Sequence, residues 1–188
     1  MNKVIKIHGC SGAGKTTLVR AIMSKYGAVP CYPEDSKATK PEAYETAAKI
    51  GAYILGSYEN VCGGMDTISD VRDALKLIDK YYRRGHVIHE GLLQSTYYGV
   101  MGEHSKPFGQ NYIYAFLNTP VEVCITRIMQ RRADAGNTRP WDPNKTREKH
   151  KVIDNLRNKV SRFGHHTLVI PWDLPVESQV ALIINQLR

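Results

Sequence analysis

No apolar run in this 188-residue chain approaches the ~18–20 residues that a membrane-crossing helix needs, so neither a membrane helix nor a membrane partner is expected. Cysteine is sparse. Cys10, Cys31, Cys62 and Cys124 form no CxxC pair, which argues against a structural zinc site and fits reduced thiols in the cytoplasm. Acidic residues are also few: 18 stand against 26 lysines and arginines, giving a net charge of +8 and a pI near 9.3. A surface this basic suits the phosphates of small molecules or a polyanion such as DNA or RNA, and charge alone leaves both open. There is no internal repeat, low-complexity tract or linker. What remains is an ordinary globular composition, 42% hydrophobic and 23% charged, long enough for one domain with a substantial core.

Strand and helix signals alternate. Residues 4–8 are β-rich and end at Gly9, and 15–26 read as a helix stopped at Gly27. Residues 28–32 form a short second strand, and Pro41 opens a helix through about Tyr58. Ser69 is a plausible N-cap for a helix to about Arg84. Strands follow at 86–89, 111–117 and 167–170, separated by helices at 120–135 and 145–162 and closed by one at 176–187. The expected architecture is α/β: three layers, with a five-stranded parallel sheet and helices on both faces.

Residues 9–16, GCSGAGKT, match the phosphate-binding loop pattern in full and lie between a predicted strand and helix. Gly9, Gly12 and Gly14 let the backbone turn its N–H groups toward phosphate oxygens, and the next helix points its positive end at the same anion. Lys15 reaches the β- and γ-phosphates, and the Thr16 hydroxyl can ligand Mg²⁺. Ser11, Ala13 and Thr17 complete the expected ATP-binding set, and the N-terminus runs directly into this loop, which favours a cytoplasmic protein without a signal peptide. The NKxD base-reading motif of GTPases is missing, as is the usual second acidic metal motif.

Residues 112–140, YIYAFLNTPVEVCITRIMQRRADAGNTRP, resemble the strand, helix and lid of nucleotide and nucleoside kinases. That resemblance implies a lid at about 133–144 within a single kinase domain spanning 1–188. It gives Arg127 and Arg131, which are i,i+4, a role at the transferring phosphoryl group, and gives Arg132 and Arg139 a role on the nucleotide. Residues 166–187 resemble the last strand and helix of the same superfamily, where a proline-bearing loop contacts adenine.

On the acceptor side, Asp35 lies twenty residues after Lys15. The spacing resembles that of polynucleotide 5′-hydroxyl kinases and implies a general base toward an alcohol, with Glu34 as the neighbouring competitor. Glu90 ends the third strand, at the sheet edge where ligands bind, and can hold the Mg²⁺ water shell or the acceptor hydroxyl. Asp66 and Tyr58, around the paired glycines of NVCGGMDT, are candidates to hydrogen-bond and stack on a base, as is Tyr97.

The combination resembles the phage 5-hydroxymethyluracil DNA kinases, and implies transfer from ATP with Mg²⁺ to the hydroxymethyl group of that base in DNA. Cations for the DNA would come from Lys37, Lys40, Arg83, Arg84, Lys106, Arg147, Lys149 and Lys151, with Tyr97, Tyr98 and Trp141 as aromatic partners. A kinase of free nucleosides or nucleoside monophosphates is the alternative, and a nucleic-acid-binding ATPase a third reading.

Overall fold

The computed structural model describes residues 1–34, 38–47, 49–60, 63–91 and 98–188. Strand β1 (Val4–His8) runs into the glycine-rich loop and helix α1 (Lys15–Lys25). A short strand β2 (Val29–Cys31) is followed by β3 (Ala43–Glu45) and β4 (Ala52–Leu55), and then by a 3-10 turn at Met65–Thr67. Helix α2 (Val71–Tyr82), strand β5 (His86–Glu90), helix α3 (Tyr98–Ser105) and strand β6 (Tyr112–Asn118) come next. The chain finishes through α4 (Val121–Asp134), α5 (Pro143–Arg162), β7 (His166–Pro171) and α6 (Val176–Asn185).

The sheet order among the described residues is β2-β3-β4-β5-β1-β6-β7. Five strands, β4, β5, β1, β6 and β7, run parallel, while β2 and β3 add an antiparallel edge. The α/β class holds, and the count and membership are corrected: seven strands, with β4 rather than β2 as the outer parallel partner. The expected helix over 41–58 is replaced by the β3–β4 hairpin. Its residues Tyr44, Thr46, Tyr53 and Ile54 favour a pleated surface, and Thr46 closes the turn by giving its hydroxyl to Ala52 O (2.9 Å) and accepting from Ala52 N (3.1 Å). The cap of α2 also moves by one residue, because Asp70 and not Ser69 accepts from Arg72 N (2.7 Å).

Strand alternation divides the core in two. Ile5, Ile7, Ile54, Ile88 and Ala115 face α1 and α6, where Leu18, Ile22, Val180 and Ile183 pack on them. Val4, Leu55, Val87, Tyr112 and Phe116 face α2, α3 and α5, against Ile78, Met101, Ile153 and Leu156. Each fully buried aliphatic side chain contributes about 1.5–3 kcal/mol. These two layers therefore hold the strand ends in fixed register, and the parallel β1–β5 pairing sets Ile7 opposite Glu90. No described helix is long and apolar enough to cross a membrane.

Candidate active site

The phosphate loop turns at the C-terminal end of β1, and its conformation depends on glycine. Gly12 has φ +79°, and a Cβ there would lie 2.4 Å from the Cys124 carbonyl oxygen, so the loop lies directly against α4. Thr119 fastens the same contact by donating to Ala13 O (2.8 Å). Arg127 adds longer bonds to Gly12 O (3.4 Å) and Ala13 O (3.5 Å). The Cys10 thiol is lowered to about 7, first by a hydrogen bond with Cys124, and Cys10, Cys31 and Cys124 are all free.

Behind the loop lies a cavity of about 610 Å³. Ser11 to Thr17 line one wall, with Arg127 and Arg131 beside them, and Gly63, Asp66 and Glu90 stand on the acceptor side. Gly9 lies beneath, where a Cβ would meet Ala13 Cβ at 2.8 Å. The first backbone N–H groups of α1 face the cavity, which suits an anion. Glu90 is 1% exposed; it accepts the Thr16 hydroxyl at 2.7 Å and lies 3.8 Å from the Lys15 ammonium. Burial pushes its carboxyl up, against the opposing pull of Lys15 and Thr16. Thr16 Oγ1 and Glu90 thus form a side-chain oxygen pair suited to a hard cation or its water shell. Among the described residues no group of three or more His, Cys, Asp or Glu is placed to hold a metal without help from substrate phosphates.

A raised carboxyl means that the folded state favours protonated Glu90. Its contribution to stability is complete below the ordinary value of 4.5 and is lost as pH climbs through the raised one. Glu90→Gln, which imitates the protonated form, is expected to raise the Tm of the ligand-free protein near neutral pH, with the gain fading below about pH 4.5. A scan of Tm against pH tests this, and an unchanged or lower Tm at neutral pH counts against it.

Asp66 is exposed in the cavity wall and partly offsets the burial that lowers the Lys6 ammonium to about 7. Its position follows from Gly64, which has φ +83° and whose Cβ would come within 2.8 Å of Glu90 O. Of the paired glycines, then, Gly64 brings the chain against Glu90, while Gly63 is the one that lines the cavity.

Tyr58 is corrected. It is 6% exposed, edge-on to Tyr44 in the core, with its phenol pushed well above its ordinary value by burial, so it offers no face to a base. Arg132 stands apart from Arg127 and Arg131. It lies outside the cavity and braces the loop after α4, donating to Asn137 O (3.4 Å) and to Arg139 O. Arg139 does not line the cavity either. Asp35 and Tyr97 lie outside the described residues.

Three further residues were not singled out from sequence. Trp172 has the Arg127 guanidinium 5.7 Å from its ring, at the far end of the cavity. Gln179, 8% exposed, fixes the loop after β7 by donating to Trp172 O (3.2 Å) and Leu174 O (3.0 Å). Arg20, four residues after Thr16 on the same helical face, donates to Tyr58 O (3.0 Å) and Asn60 O (2.5 Å) and ties down the segment after β4. The Thr16–Arg20 spacing was the available signal for Arg20; the other two depend on long-range packing.

A phosphate loop with an arginine-bearing helix across it, at the end of the central parallel strands of a mixed sheet, defines a P-loop kinase. The chain matches no family model. It is 31% identical to the 5-hmdU DNA kinase of Pseudomonas phage M6 over 97% of this chain and 98% of that one. It is 33% identical to the 5-hmdU DNA kinase of Pseudomonas phage PaMx11, covering 86% and 87%. The protein belongs to the family of 5-hmdU DNA kinases. Its fold is also that of a gluconokinase from Sinorhizobium meliloti 1021, with a TM-score of 0.52 at 15% identity over 98% of this chain and 91% of the other.

Proposed function

We infer that the protein transfers the γ-phosphate of ATP, with Mg²⁺, to the hydroxymethyl group of 5-hydroxymethyluracil carried in DNA. The observation that carries this reading is the similarity to the phage M6 5-hmdU DNA kinase along almost the whole of both chains. The cavity supports it. Lys15, the loop N–H groups and the start of α1 receive the triphosphate, and the Arg127–Trp172 end takes the adenine. Thr16 and Glu90 hold Mg²⁺ or its waters. Arg131, on the cavity wall, meets charge that develops on the transferring group. Residues 1–188 act as one kinase domain, with 133–144 as its lid and Arg139 approaching the nucleotide when the lid closes.

An alcohol acceptor must lose a proton as it attacks. Asp66 lines the same cavity as Arg127 and Arg131 and is the carboxylate of that lining that is both exposed and beside Glu90. It takes that proton in this reading, with Asp35 as the rival. Such a protein works in the cytoplasm of the infected host.

The test is label transfer from γ-labelled ATP to hydroxymethyluracil-containing DNA, unmodified DNA, free 5-hydroxymethyldeoxyuridine and nucleoside monophosphates. Label is expected on the modified DNA alone, with a KM that climbs with salt by a log–log slope of about 0.9 per phosphate contact on duplex. If the free nucleoside is phosphorylated at least as efficiently as the DNA, the polymer reading is wrong.

A further inference from the structure

The cations expected to hold DNA are scattered by the fold. Arg83 and Arg84 precede β5, whose other end carries Glu90, so they sit at the opposite edge of the sheet from the phosphate loop. Lys106 is held by Glu103 (2.6 Å), and Arg147 by Glu122 (3.1 Å). Lys37 lies outside the described residues. Of the expected set, Lys149 and the aromatic Trp141 do come together, joined by Lys145, between α4, α5 and the loop joining them.

There a groove of about 700 Å³, within the ~300–1,000 Å³ of small-ligand sites, opens beside the donor cavity. Ser11 and Arg131 line both, so the groove is continuous with the mouth of the phosphate loop. Lys145 and Lys149 stand i,i+4 on the exposed face of α5, in its first two turns, and α5 starts at the same sheet edge as the loop. Neither makes an ion pair among the described residues. The acid in the lining, Asp134, already accepts from Gln130 (2.7 Å). Half-buried Trp141 supplies an aromatic wall.

We propose that this groove binds the strand next to the target nucleotide, with Lys145 and Lys149 on its phosphates and Trp141 stacked on an unpaired flanking base. The proposal rests on the DNA-kinase reading above and adds where the polymer lies. Two unpaired lysines with an indole face suit a sequence-tolerant single strand, which needs backbone cations together with a flat surface for stacking. The donor nucleotide has its own cations, with Lys15 and Arg131 at its phosphates and Arg127 at its adenine end, and leaves the α5 lysines uncommitted. A strand held here meets the phosphate loop at Ser11, where a neighbouring nucleotide can enter the cavity with its base turned out of the stack.

The experiment uses the full chain. In the first arm, Lys145→Gln/Lys149→Gln is expected to raise the KM for a single-stranded hydroxymethyluracil oligonucleotide without a matching rise in the KM for ATP. It is also expected to reduce the log–log salt slope by about 0.7 per lost contact. Both lysines are exposed, so the fold tolerates the change. In the second arm, Trp172→Phe leaves Trp141 as the single tryptophan, and an unmodified oligonucleotide is expected to quench its emission on binding. Binding here is read without turnover. An unchanged DNA KM and salt slope, or unquenched Trp141 emission at saturating oligonucleotide, overturns the proposal. Either result leaves the DNA-kinase reading standing if the wild type still labels hydroxymethyluracil DNA. Absence of that label from the wild type overturns the earlier reading instead.

Discussion

Lys15→Ala is expected to lower kcat by roughly 10²–10³-fold in a protein that still folds, since loss of one preorganised donor to transition-state charge costs about that much. Lys15 is 8% exposed, and its ammonium donates to Cys10 O (3.3 Å) and lies 3.8 Å from Glu90. It is therefore held where triphosphate oxygens would meet it, before any substrate arrives. Alanine keeps α1 intact, as it is the strongest helix former. With the cation gone, Glu90 loses the chief charge opposing its burial, so its carboxyl is expected to rise further. Single-turnover transfer from γ-labelled ATP measures the loss, and circular dichroism on the same sample checks the fold. Near-wild-type turnover in the folded variant would exclude the donor role of this loop.

Asp66→Asn should lower kcat by about 10²–10⁴-fold with ATP affinity nearly intact, because the amide keeps the shape of the carboxylate but takes no proton. Glu90 is poorly suited to the same task, since it is buried and already occupied by Thr16 and Lys15. Asp66 is exposed on the same wall. Strand β2 lies four strands away from β1 in the sheet, or about 19 Å at the usual strand spacing, and Asp35, four residues after its end, lies outside the described residues. Parallel pH–rate profiles of Asp66→Asn and Asp35→Asn separate the two. If only Asp35→Asn loses turnover and the basic-limb pKa, the proton goes to Asp35 and Asp66 merely contacts the acceptor.

Elements with one unambiguous period were readable from sequence. β1, α1, α4 and α6 lie within a residue or two of expectation, because each couples its apolar repeat to a local stop such as Gly27, Pro120 or Pro175. The segment from Pro41 to Tyr58 was misread for a physical reason. Its alanines, glutamates and lysine suit a helix in isolation, and only pairing of β4 with β5 and of β3 with β4 makes extended chain the better use of Ala43, Ile54 and Leu55. Tyr58 failed for a related cause: an aromatic residue beside a glycine loop looks the same whether it lines a pocket or fills the core.

What this sequence determines by itself is the phosphate loop. Its eight contiguous residues carry their own chemistry, with backbone donors, turn-permitting glycines, a lysine and a hydroxyl at fixed local spacing, followed at once by a helix N-terminus. The opposite wall was decided by tertiary structure. Glu90 reaches Thr16, 74 residues away, because β1 and β5 pair in one register. Gly64 folds Asp66 in beside it, and α4 presses Arg127 against Gly12 and Trp172. Burial then raises the Glu90 carboxyl and lowers the Lys6 ammonium. Those distances and degrees of burial arise between segments remote in the chain, so no local pattern contains them.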